Sequence, residues 1–171
     1  MSERKSTTTT KKLASCSALT ALALIFSYVE VLIPFNFGVP GIKLGLANIV
    51  VLIALYAFGY KYALIIDLAR IALSALLFGN AFSVFYALAG GTLSILIMIL
   101  AKKVKVFSVI GVSMSGGVFH NLGQLFVAAF VMQTGKIVFY FPVLLIAGMV
   151  TGILNGFIAT LVLNAVKKMR G

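Results

Sequence analysis

The chain has 171 residues, of which 62% are hydrophobic and only 10% charged, with a mean hydropathy of +1.17. A soluble domain carries about 25% charged residues, and a single core of this size cannot hide so much apolar surface, so the expected solvent is lipid. The net charge of +11 does not mark a nucleic-acid binder, because the 14 Lys and Arg residues punctuate apolar runs instead of clustering on a polar surface.

In chain order, residues 1–12 form a polar, Thr-rich, basic tail, expected to be flexible. A single membrane domain is expected over 13–171, built from apolar runs long enough to cross a bilayer, which takes about 20 residues each. Span 1 is 13–33, ended by Pro34, and a connector with turn residues follows (Pro34, Gly38, Pro40, Gly41). Span 2 is 43–58, with a turn at 59–61. Span 3 is 60–78, broken at Gly79 and Asn80, and span 4 is 81–101, ended by Lys102, Lys103 and Lys105. Span 5 is 106–133, with a turn over 134–136, and span 6 is 137–166, closed by Lys167, Lys168 and Arg170.

The charges orient this all-α, six-helix bundle. With the N-terminus inside, Arg4, Lys5, Lys11, Lys12, Lys61, Lys102, Lys103, Lys105, Lys167, Lys168 and Arg170 fall on the inner side. Those eleven stand against Lys43 and Lys136 outside, with Arg70 inside a span, which predicts both termini in the cytoplasm. The first span has a basic start but no small-residue cleavage site before Pro34, and Glu30 interrupts it, so it is expected to be kept.

Polar residues inside a bilayer call for a partner or a function. Asp67 and Arg70, three apart, share a helix face, with Arg70 roughly 15 Å from the start of its span. They either neutralise each other or leave Arg70 facing a cavity to bind an anionic group. Gly116, His120 and Gln124 form a stripe at four-residue spacing, with Asn121 beside it. Such stripes often serve only interhelical hydrogen bonds, but this one reaches the depth of Arg70, which favours a cavity. Glu30, Asn36, Lys43, Asn48, Asn80, Gln133 and Lys136 form an outer rim, where Lys43 favours an anion and Lys136 reads as interfacial.

Several chemistries are excluded. Glu3, Glu30 and Asp67 are the only carboxylates, too few for an Asp-rich Mg²⁺ and diphosphate site or a paired acid/base hydrolase. One cysteine (Cys16) and one histidine (His120) exclude an internal disulfide and a multi-Cys or multi-His metal site. The segment 38–45 (GVPGIKLG) lacks Walker spacing and a Ser/Thr after Lys43, so no nucleotide hydrolysis is expected. His120 has no nucleophile or second base beside it, and the chain is expected to be neither an enzyme nor dependent on a cofactor. Two small-residue patterns remain. Gly148, Gly152 and Gly156 form a ridge best read as internal packing, while Ala14, Ala18 and Ala21, with Ser17 adjacent, either pack internally or offer a flat surface to another membrane protein.

The string GIKLGLANIVVLIALY (41–56), the LAR segment (68–70), the FGN turn (78–80) and GGVFHNLGQ (116–124) resemble the Gx transporter family, also catalogued as heptaprenyl diphosphate synthase component I. That family is similar to the substrate-binding S subunits of energy-coupling-factor (ECF) transporters, six-helix membrane proteins without their own ATPase. The resemblance implies an importer subunit for a small anionic or polar vitamin-like molecule, in the cytoplasmic membrane. Its partners would be a coupling membrane subunit, docked on small residues of the first helix such as Ala14, Ala18 and Ala21, and that subunit's ATPases. Lys43, Asn48, Arg70, Asn80, His120, Asn121 and Gln124 are the expected substrate-binding residues. The alternative is a non-catalytic membrane component of isoprenoid or quinone biosynthesis.

Overall fold

A computed structural model describes residues 2–33, 43–78 and 81–170. Its α-helices are α1 (Ser2–Leu32), α2 (Asn48–Ala57), α3 (Tyr60–Phe78), α4 (Ala81–Val104), α5 (Val109–Met132) and α6 (Phe141–Arg170), with a short 3₁₀ turn over Gly135–Tyr140 before α6. Among the described residues there is no strand. Four stretches, Thr10–Leu32, Ser83–Val104, Val109–Met132 and Gly135–Met169, are long and apolar enough to cross a membrane. The chain is therefore an all-helical protein of the membrane-spanning kind.

Two elements differ from the sequence expectation. The polar tail is not separate from span 1: α1 begins at Ser2 and runs unbroken, because no Gly or Pro interrupts 2–32. The second run is not a full helical span. Residues 43–47 are non-helical, and the ten-residue α2 is roughly 15 Å long, about half the hydrocarbon thickness.

That short helix is the centre of the molecule. All eight residues from Asn48 to Leu55 are buried, and α2 touches each of the other five helices. A helix that is apolar on every side needs such an enclosure or lipid on every side. The longer helices pack around it in the run α1–α3–α4–α5–α6. Leu52, Leu55, Ile66, Ile95, Met98 and Val112 fill the core between them. The outer faces stay apolar: Leu76, Phe126, Phe130 and Phe139 are among the most exposed side chains, as a lipid-facing surface requires.

The seam between α5 and α6 is the closest helix contact, and the glycine ridge makes it. A Cβ on Gly152 would stand 2.5 Å from the Met114 Cα, and one on Gly156 would stand 2.7 Å from the Ile110 Cα. Gly117 and Gly148 oppose each other in the same seam. The ridge Gly148–Gly152–Gly156 is thus internal packing. The start of α5 is set by Ser108, whose hydroxyl accepts the Gly111 N–H at 3.2 Å and caps the helix.

Candidate functional site

The non-helical stretch 43–47, half-buried to buried in an apolar protein, gives its Gly45, Leu46 and Ala47 carbonyls to the first N–H groups of α2, and its own N–H groups lie outside any helical ladder. Unsatisfied backbone in such a setting costs several kcal/mol per group in order of magnitude, so it must be met by neighbours. Three helices supply them. Gln124 Oε1 on α5 accepts the Lys43 N–H at 3.0 Å, Glu30 Oε1 on α1 accepts the Leu46 N–H at 2.7 Å, and Asn155 Nδ2 on α6 donates to the Gly45 carbonyl at 3.1 Å. Gly45 has φ +81°, and a side chain there would press on His120 and Asn48, its Cβ 3.0 Å from His120 Cδ2.

From this stretch the polar centre extends into the bundle. Gln124 Nε2 lies 2.9 Å from His120 Nε2. With Oε1 committed to Lys43, the amide nitrogen must donate, so His120 Nε2 accepts and the ring proton is assigned to Nδ1. Nδ1 is buried beside the Gly90 backbone of α4, close enough to interact with it though without a well-aligned hydrogen bond. Asn48 Nδ2 donates to Ser94 Oγ at 3.2 Å, joining α2 to α4.

The adjacent glycine, Gly91, leads to the charged pair. A Cβ there would stand 3.0 Å from Asp67 Oδ2 and 3.2 Å from Arg70 Nη2. Arg70 Nε donates to Asp67 Oδ1 at 2.8 Å, and Nη2 lies 2.7 Å from that same oxygen. Both nitrogens converge on one carboxylate oxygen instead of forming a two-oxygen fork, and Nη2 has no aligned hydrogen bond. Both side chains are buried. Gly90 stands against His120 and the adjacent Gly91 against Asp67 and Arg70, so the imidazole and the charged pair flank one glycine pair of α4.

The model of the family described as heptaprenyl diphosphate synthase component I matches residues 19–162. The chain belongs to that family. No curated protein matches the chain, and no solved structure does. Every polar side chain placed in the centre above, from Glu30 to Asn155, lies inside the matched residues 19–162.

The expected site residues divide in this light. Lys43, Asn48, Arg70, His120 and Gln124 come together around Gly45 and the Gly90–Gly91 pair. Asn121 turns away from its neighbour His120: its Nδ2 donates to the Leu144 carbonyl of α6 at 2.7 Å, and its Oδ1 is buried without a partner. Asn80 and Asn36 lie outside the described residues. Lys136 is exposed at the start of the 3₁₀ turn, in keeping with an interfacial lysine. Ala14, Ala18 and Ala21 are exposed on one face of α1, while Cys16, Ala23 and Ser27 face inward. Sequence reasoning omitted Ser94 and Asn155, and gave Glu30 only a place on the rim. The signal available for Asn155 was its place among Gly148, Gly152 and Gly156; for α4 it was the adjacent Gly90 and Gly91.

Proposed function

We propose that the chain is a substrate-binding membrane subunit of an ECF-type importer, taking a small anionic or polar vitamin-like molecule and carrying no ATPase or catalytic centre of its own. One observation carries the reading: a short buried helix, α2, whose leading non-helical stretch 43–47 is held by side chains of three other helices at a polar centre. In membrane transporters, non-helical backbone beside a helix end is a place where polar ligands are met. Among the described residues of this centre, Arg70 Nη2, in ionic contact with Asp67 but without an aligned hydrogen bond, and His120 Nδ1 suit an anionic or carbonyl oxygen. In this reading all six helices cross the cytoplasmic membrane, with 43–47 completing the passage that α2 begins, and both termini lie inside. The distribution of eleven of 14 cations supports that orientation. Energy would come from ATPases through a coupling subunit docked on the exposed Ala14, Ala18 and Ala21 face.

The test has two parts. Native mass spectrometry of the protein purified in mild detergent should reveal a co-purified water-soluble molecule, and Arg70→Ala should lose it. Ala14→Leu with Ala18→Leu should abolish co-purification with the coupling subunit while leaving expression intact, because both positions are exposed. A complex that survives both leucines removes the docking face from the proposal.

The family's description favours a second reading, a non-catalytic membrane component of isoprenoid or quinone biosynthesis. The single Asp in the sequence argues against the chain being the catalytic prenyltransferase. On this reading, deletion should alter prenyl diphosphate chain synthesis and leave uptake of small solutes unchanged, the opposite of the importer outcome.

A further inference from the structure

A second place in the molecule, far along the chain from the polar centre, has the composition of a ligand site. Where α2 ends, α3 begins and α4 ends, a pocket of about 220 Å³ is lined by Leu55, Gly59, Tyr60, Ile99, Lys102 and Lys103. Pockets that take whole drug-sized molecules measure about 300–1,000 Å³, so this one suits part of a molecule. Its walls are apolar, and its charge is of one sign. Lys102 Nζ donates to the Leu55 carbonyl at 2.7 Å and stands 4.5 Å from the Tyr56 ring centroid, which fixes the ammonium at the pocket. An ammonium has three donors, so Lys102 keeps N–H groups to give, and Lys103 beside it is exposed. The carboxylates among the described side chains are engaged elsewhere, Asp67 with Arg70 and Glu30 with the Leu46 N–H. Around Gly59 there is open space, with nothing within 4 Å of where a Cβ would stand.

We propose that this pocket binds an anionic phospholipid, its phosphate held by Lys102 and Lys103 and the first methylenes of one acyl chain laid against Leu55, Tyr60 and Ile99. Basic pockets between membrane helices recognise anionic head groups by this combination of charge and adjoining apolar wall. A water-soluble anion would satisfy the lysines but leave the apolar wall unused. The inference needs only that the protein sits in a bilayer, so it stands or falls separately from the import reading.

The experiment is native mass spectrometry in mild detergent, titrating phosphatidylglycerol and, separately, phosphatidylcholine with identical chains. The wild-type protein should retain phosphatidylglycerol preferentially. Each lysine near an anionic head group contributes roughly fivefold, so Lys102→Gln with Lys103→Gln should weaken retention about 25-fold. Lys167→Gln with Lys168→Gln removes the same charge from the end of α6 and should change retention little. Ile99→Trp keeps both lysines but fills the pocket, and it should also release the lipid, which tests the site even where the lysine double variant fails to fold. Equal retention of the two lipids, equal losses in the two lysine pairs, unchanged retention in Ile99→Trp, or full displacement by millimolar inorganic phosphate would each overturn the proposal.

Discussion

Replacing Asp67 by Ala separates a structural charge pair from a binding cation more directly than any other change. Asp67 and Arg70 are 2% and 4% exposed, and both guanidinium nitrogens on that side converge on Asp67 Oδ1. Removing one partner of a buried pair leaves an uncompensated charge and costs about 3–5 kcal/mol. For a chain of this length, that corresponds to a fall in melting temperature of roughly 6–20 °C. Asp67→Ala with Arg70→Leu removes both charges and should restore most of the lost stability, since buried pairs are often replaceable by apolar groups without loss. Thermal unfolding of the three proteins in one detergent, read by size-exclusion recovery, measures the cycle. If Asp67→Ala melts with the wild type, the reasoning fails, because Glu30 would then be meeting the Arg70 charge. The double variant carries the functional question. It should fold, yet it should no longer retain the small molecule that the wild type carries through purification.

Two further outcomes follow from the glycines. Gly152→Ala places a Cβ 2.5 Å from Met114 Cα, so α5 and α6 must separate, at about 1–3 kcal/mol; Gly135→Ala, with nothing within 4 Å, should change the melting temperature little, and equal behaviour of the two would refute a tight seam. Gly90→Ala puts a methyl 3.0 Å from both His120 Nδ1 and Gln124 Cγ, so it should weaken ligand retention more than it lowers melting temperature, and unchanged retention would remove His120 from the site.

The parts of the fold legible in the sequence are those set by local signals. The start of α3 follows Gly59, the end of α4 follows Lys102, Lys103 and Lys105, and α5 ends just before the 134–136 turn, signals that act within a few residues. The Ser108 cap and the 3₁₀ turn that delays α6 to Phe141 were not read from the sequence. The Asp67–Arg70 pair was readable for the same reason, because three-residue spacing puts both on one helix face. The enclosure of α2 was not readable. Hydropathy registers only that a segment avoids water, and lipid and protein interior satisfy it equally, so IVVLIALYA reads the same as a wall or as a centre. The partner of Gln124 was equally hidden, since it is a main-chain N–H 81 residues earlier. Asn155 gave no stripe of its own, and its acceptor is a main-chain carbonyl, that of Gly45, 110 residues earlier in the chain.

That difference changes what a polar residue in a span means for this protein. Gln124 Oε1 and Glu30 Oε1 each accept an N–H of the 43–47 backbone and Asn155 Nδ2 donates to its Gly45 carbonyl, while Gln124 Nε2 meets His120. Asn121 gives its amide to Leu144. These residues are architecture in the first instance, whatever else they touch. Among the described residues, the buried side-chain atoms without an aligned hydrogen bond are Arg70 Nη2 (in ionic contact with Asp67), His120 Nδ1, the Asn121 carbonyl oxygen and, on α1, the Ser27 hydroxyl. The first two are donors when His120 carries its proton on Nδ1, and they lie on the two sides of the adjacent Gly90 and Gly91. A ligand presenting oxygen acceptors to both is therefore better matched than a cation, since the nearest carboxylates already hold Arg70 and the Leu46 N–H.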